Sequence, residues 1–263
     1  MALPNKTNKI KTMKLIRKSI ICIIAAVAAL TSCKEDNTLQ YNNYTMGNVV
    51  DGTFTSDQGN IFNVVEQNCA GDLTSLKRAI VLCDVLNKVE GSDNEYDVRL
   101  NGMASVLDKA PITEAEAEAD EEKTVEDPVT IQDNWIAGGY INMYIVFEVK
   151  AGSTQKHQIN LVLDEAASTE GKYVFTLRHN SYGESLAYNA TDIVYGGSYV
   201  SFPISELITE DSAEISVNYK WYKSVGMGWS SETQEYTNNL RYTKGGFEQA
   251  PSTLASKTTT NLN

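Results

Sequence analysis

Beyond Pro128 the chain repeats one pattern, an apolar side chain at every second residue. Ile159, Leu161 and Leu163 share one face of a strand that starts at His157, and Tyr173, Phe175 and Leu177 share one in the next. Val200, Phe202 and Ile204 follow, then Ile215, Val217, Tyr219 and Trp221. Successive residues of a strand point to opposite faces, so a period of two fits a sheet covered on one side and does not fit an amphipathic helix. With a long segment from Trp135 to Val149, bent at Gly138-Gly139, the pattern predicts an antiparallel β-sandwich of about six or seven strands over residues 128–224.

Residues 48–110 carry shorter strands between turn signals. Val49 to Phe54 leads to the turn Ser56-Asp57-Gln58-Gly59, then Ile61 to Val65 and the turn at Gly71-Asp72. Arg78 to Leu86 is nearly continuous apolar sequence, as in a strand covered on both faces. Tyr96 to Leu100 and Ala104 to Leu107 complete about five strands, which predicts a small OB-like barrel. Barrels of that type bind oligonucleotides or oligosaccharides on a strand face. Here ten acids face five bases and tryptophan is absent, which favours a spacer or packing module over a ligand site. Cys69 and Cys83 lie in this stretch. A simple hairpin would hold them ~20 Å apart, too far for a disulfide, so two free thiols are expected.

The segment 111–127 holds eight acids and one lysine. Like-charge repulsion disfavours a long helix, so it reads as a solvated acidic linker; it lacks the turn glycine and ligand spacing of a Ca²⁺ loop. Residues 225–263 are a Gly/Ser/Thr/Asn-rich tail in which Trp229, Tyr236, Leu240 and Tyr242 offer material for one more hairpin.

At the other end, Lys14, Arg17 and Lys18 precede an apolar run from Ser19 to Leu30. As a helix it would reach ~18 Å, short of the ~30 Å hydrocarbon core, so it reads as an export signal and not as a permanent span. The run ends in Leu30-Thr31-Ser32-Cys33, which resembles the lipobox of bacterial lipoproteins. The resemblance implies a signal peptide over residues 1–32, cleavage between Ser32 and Cys33, acylation of Cys33, and a lipidated tether over 33–47. Lys34-Glu35-Asp36 is similar to the tag that sends some lipoproteins of Gram-negative anaerobes to the outside of the outer membrane. An outer-membrane lipoprotein exposed at the cell surface is the expected location. Without residues 1–32 the chain has 16 Lys and Arg against 34 Asp and Glu, a net of −18. That charge disfavours nucleic acid and gives no electrostatic hold on an anionic membrane, so the expected membrane contact is the lipid anchor alone.

Several short stretches in order resemble the NigD-like lipoproteins, which join an N-terminal OB domain to a C-terminal β-sandwich. They are Asp127 to Ile131, Trp135 to Asn142, His157 to Val162, Leu177 to Asn180 and Val200 to Ile204, and the likeness runs from Cys33 to Lys223. The family's name comes from a bacteriocin-associated gene cluster, and the resemblance implies no established activity.

Candidate sites are few. His157 and His179 fall on the apolar parity of their strands, which suits core histidines better than a catalytic pair, because no Gly-x-Ser-x-Gly or His-Glu-x-x-His accompanies them. Tyr182, Tyr188, Tyr195 and Tyr199 lie among Gly, Ser and Asn and are candidate ligand contacts, able to stack on sugars or grip a protein. Asp211-Ser212-Ala213 is similar to an envelope O-glycosylation acceptor at Ser212. No metal site and no cofactor are expected. The sequence thus points to a non-enzymatic, lipid-anchored binding or accessory module with a protein or glycan partner. The alternatives are a carbohydrate-active hydrolase using paired carboxylates and an accessory or immunity factor for a secreted toxin.

Overall fold

The structure, a computed structural model, describes residues 44–184, 192–225, 228–246 and 262. Strands β1 (Thr45–Val50), β2 (Thr53–Ser56), β3 (Ile61–Gln67), β4 (Arg78–Lys88) and β5 (Glu95–Ser105) close into a barrel in the order β1-β2-β3-β5-β4. Neighbours run antiparallel except β3 and β5, which are parallel. Phe54, Phe62, Val81, Cys83, Val98 and Leu100 fill the interior. The barrel opens at Thr45, inside the expected tether, and the two short strands expected after Asn94 are one, β5. Cys69 and Cys83 are free thiols. The simple hairpin does not describe them, because a 3₁₀ turn at Leu73–Ser75 interrupts it and Cys69 packs against the cluster that holds Cys83.

The chain leaves the barrel through β6 (Leu107–Asp108), which already belongs to the second domain. There β7 (Ile112–Thr113), β8 (Val129–Ala137), β9 (Tyr140–Lys150), β10 (Gln158–Leu163), β11 (Lys172–Asn180), β12 (Ile193–Pro203), β13 (Ser212–Val225) and β14 (Gly228–Thr243) form two sheets. One runs β14-β13-β11-β10-β7 and the other β6-β12-β9-β8. The alternating residues meet between them: Ile159, Leu161, Phe175, Leu177, Val200, Phe202, Ile215 and Val217 are all buried in one cluster. The sandwich is mixed where an antiparallel one was expected, since β11 pairs parallel with β13, β10 with β7 and β12 with β6. The cause is the path: after β11 the chain crosses to the other sheet as β12 and returns as β13 beside β11. Gly138 and Gly139, both left-handed at φ 62° and 80°, make the tight β8–β9 turn that other residues would enter only under strain.

Two expected surface segments are folded. The acidic segment 111–127 is not an extended connector. Glu114–Glu118 is a one-turn helix, α1, with a capping box in which Glu116 accepts from the Thr113 amide at 2.8 Å and Thr113 Oγ1 accepts from the Glu116 amide at 3.3 Å. Its Ala117 is buried. The like charges are answered from distant strands: Arg178 of β11 lies 2.8 Å from Glu114, and Lys220 of β13 pairs with Glu126. The tail, in turn, supplies β14, which pairs with β13 as far as Thr243.

Barrel and sandwich are joined by a packed seam. Met46, Ile80 and Val106 meet Trp135, Ala137, Tyr144 and Tyr199. This explains the unbroken apolar run of β4, whose residues alternate between the barrel interior and the seam. Within the seam Arg78 is 1% exposed. Its Nε donates to Ser201 Oγ at 2.7 Å, Nη1 to Asn48 Oδ1 at 2.8 Å and Asp57 Oδ1 at 2.9 Å, and Nη2 to Asp57 Oδ2 and Asn142 Oδ1, both at 2.7 Å. All five guanidinium N–H groups are thereby used. The Tyr140 ring lies 3.9 Å from the guanidinium carbon. Burial raises the Asp57 carboxyl above the ordinary aspartate value, and its bonds from Arg78 oppose that shift.

Candidate functional site

A buried set of ionisable groups in the sandwich is built on the ends of β10 and β11. Ile159 and His179 are direct cross-strand partners, and His157 sits two residues before Ile159, so both imidazoles turn into the same end of the core. Both residues are fully buried. His157 Nδ1 lies 3.0 Å from His179 Nε2, His157 Nε2 lies 3.2 Å from Glu184 Oε2, and His179 Nδ1 lies 3.1 Å from the Pro128 carbonyl oxygen. The Phe147 ring packs on both, at 5.1 and 5.2 Å between centroids.

The directions of these bonds fix the protons. A carbonyl can only accept, so His179 carries its proton on Nδ1 and its Nε2 is an acceptor. His157 must then donate through Nδ1. Its Nε2 faces the Glu184 carboxyl, and one shared proton completes the chain. Glu184 is further held by Ser153 Oγ and by the Lys150 amide. Burial pushes the Glu184 carboxyl up, but the bonds from Ser153, His157 and Lys150 together outweigh it and leave it below the usual glutamate value. Burial, and then the neighbouring His157, push His179 down to about 4. Beside the pair, Asp127 accepts from the Ser181 amide at 2.8 Å and hydroxyl at 2.5 Å, while the Asp127 amide donates to the His179 carbonyl at 2.8 Å.

This arrangement keeps one proton between His157 and Glu184 in the interior. It does not present a base, because all four ring nitrogens are engaged and neither ring meets solvent. Among the described residues no three His, Cys, Asp or Glu side chains are grouped to hold a metal ion.

The other sites read from the sequence do not converge. Ser32, Cys33, Lys34, Glu35, Asp36 and Tyr188 lie outside the described residues. Tyr182 is 41% exposed, in a left-handed conformation at φ 53°, with its hydroxyl donating to Glu122 at 3.0 Å. Tyr195 is 60% exposed, its ring centroid 6.3 Å from that of Trp221. Tyr199 corrects the expectation of a common surface: it is buried in the seam, 4.8 Å from the Tyr144 ring, and burial pushes its hydroxyl up to about 12. The reason is that residues from Ile193 onward form β12, one face of which covers the sandwich core while Tyr199 and Ser201 turn to the barrel. Ser212 is exposed at the start of β13, opposite Thr243.

Glu184, Asp127 and Arg78 were not found from the sequence. Only Arg78 left a signal, a cation heading a strand whose next five residues are apolar.

A model of the NigD-like C-terminal beta sandwich domain matches residues 111–236. Among solved structures, a protein of unknown function (DUF1344) from Bacteroides vulgatus aligns with a TM-score of 0.57 at 20% identity, over 82% of this chain and 99% of its own. A candidate lipoprotein from Bacteroides fragilis gives 0.54 at 18%, over 76% and 97%. A NigD-like immunity protein from Bacteroides caccae gives 0.53 at 18%, over 80% and 96%. At these identities the likeness is one of fold. No curated protein matches the sequence.

Proposed function

We propose that the chain, whose residues 111–236 match the NigD-like C-terminal beta sandwich domain, is a lipid-anchored envelope protein with an accessory or immunity-type binding role and no catalytic one. The observation that carries the non-catalytic reading is the closed state of the histidine pair: the groups best suited to proton transfer are spent on one another and on Glu184 and Pro128. A catalytic base has to reach a substrate proton, and this pair would first have to break its own chain. The seam around Arg78 supports a binding role, since it fixes barrel and sandwich as one rigid surface. Preorganised surfaces bind with less loss of conformational entropy.

In this reading Cys33 carries the lipid after cleavage behind Ser32, and Lys34-Glu35-Asp36 directs the protein to the outer face of the outer membrane. Exposed Tyr182 and Tyr195 are contacts for a protein or glycan partner, and Ser212 is an accessible glycan acceptor. A neighbour described as an immunity protein shares the fold and favours the immunity form of the role.

The test is made in the bacterium that produces the chain. A strain lacking it is grown in medium conditioned by its parent. The proposal expects inhibition, relieved by the full chain and equally by His157→Gln at matched protein level. A deletion strain that grows as its parent does, or relief that needs His157, would contradict it.

A further inference from the structure

Strand β14 is the margin of its sheet: among the described residues it pairs with β13 on one side and with no strand on the other. From Gly228 to Thr243 it has 16 residues, ~50 Å of chain, and it contains neither proline nor lysine. Its pairing with β13 is irregular between Trp229 and Thr233 and regular from Thr233 to Thr243. A long, regular margin without those blocking residues is a ready template for another strand. The last described residue, Leu262, does not fill that place, because it bridges His157 beside β10, three strands away.

We propose that the occupant is a second copy of this chain, paired antiparallel through β14 about a two-fold axis at Asn238. The regular stretch Thr233–Thr243 has Asn238 at its centre. A two-fold there sets each residue opposite one of the same parity, so the outward row of one copy continues into the outward row of the other. That row, Thr233, Glu235, Thr237, Asn239, Arg241 and Thr243, is exposed throughout. Glu235 then faces Arg241 of the second copy, and the symmetry repeats the pair. Thr237 faces Asn239. On the inward side Tyr236 faces Leu240, and both are half-buried side chains that already pack against the sandwich core. Moving the axis by half a residue puts outward side chains opposite inward ones, and moving it by a whole residue leaves Glu235 and Arg241 without each other. The eleven facing residues would supply about 10 to 12 main-chain hydrogen bonds. Such an isologous contact closes on itself, as dimer interfaces do. It does not depend on the proposed immunity role.

The test is the association state of the full chain in detergent over a concentration series, by light scattering. A reversible dimer is expected. Glu235→Arg and Arg241→Glu should each weaken it about tenfold, and the double swap should restore it. Both positions are exposed, but across β13 Glu235 faces Lys220 and Arg241 faces Glu214, so each single variant should melt slightly below the parent, and association is compared at a temperature where both are folded. Asn238→Cys sets two thiols opposite each other at the axis, with Cα atoms ~4.5–5.5 Å apart, inside the range for a disulfide. Mild oxidation should give a covalent dimer, while Glu214→Cys, one strand in from the margin, should not. A parent that stays monomeric, or a dimer that both reversals leave unchanged and that Asn238→Cys does not crosslink, overturns the proposal.

Discussion

Replacing His179 should change how stability responds to acid more than it changes stability at neutral pH. In the folded chain burial and the adjacent His157 hold the imidazole at about 4, against 6.5 for the free group. A group whose value falls on folding is protonated first in the unfolded chain, so stability is complete above the free value and drains as pH drops towards the folded one. Each unit of difference is worth ~1.4 kcal/mol, so between about pH 7 and about pH 4.5 the wild-type chain should lose roughly 2 to 3 kcal/mol through this residue alone. His179→Gln removes the titration while its amide can still accept from His157 Nδ1. Urea unfolding of both proteins at the two pH values gives the comparison. The carboxylates titrate in both and cancel, leaving a difference in acid sensitivity of roughly 2 to 3 kcal/mol. Equal losses in the two proteins would refute the argument, and so would an imidazole signal for His179 titrating near the free value in NMR.

Other outcomes follow from named contacts. Arg78→Met should destabilise by ~3–5 kcal/mol, because buried Asp57, Asn142 and Ser201 lose their donor, and Arg78→Lys should recover little of it; denaturant melts and proteolysis near Val106 report it. Gly197→Ala should cost ~1–3 kcal/mol, since a Cβ there would lie 2.0 Å from the Tyr144 hydroxyl; Tyr144→Phe in the same chain should return part of the lost melting temperature. Cys83, whose thiol burial pushes up to about 12, should resist alkylation in the native chain and react on unfolding, whereas half-buried Cys69 should label first; mass spectrometry distinguishes the two.

Much of the fold was legible because strands with one covered face announce themselves by period. Ile159, Leu161, Phe175, Leu177, Val200, Phe202, Ile215 and Val217 all turned inward as their spacing required. What failed to show was every feature decided by residues far apart in the chain. The acidic segment looked repulsive within itself, yet Arg178 answers Glu114 from 64 residues away and Lys220 answers Glu126 from 94, while Thr113 caps its helix locally. Arg78 meets Asn142 and Ser201 at separations of 64 and 123 residues, so the sequence showed an unusual cation but not its partners. Tyr199 looked like its neighbours in a polar, glycine-rich stretch, and only the face of β12 it occupies separates it from exposed Tyr195. The histidines were read as core residues, and they are buried. Their joining to Glu184 needed the loop after β11 to fold back, which no spacing rule describes.

The most direct test of the account is where the protein goes without Cys33. The chain after Ser32 carries a net charge of −18, so nothing electrostatic should hold it to an anionic membrane once the lipid is gone. Fractionation of cells expressing Cys33→Ser, with labelled fatty acid to follow acylation, should show an unlabelled chain lost from the outer membrane while the parent is labelled and retained there. A Cys33→Ser chain that still fractionates with the outer membrane, or a parent that takes up no label, would contradict the lipid-anchored envelope role.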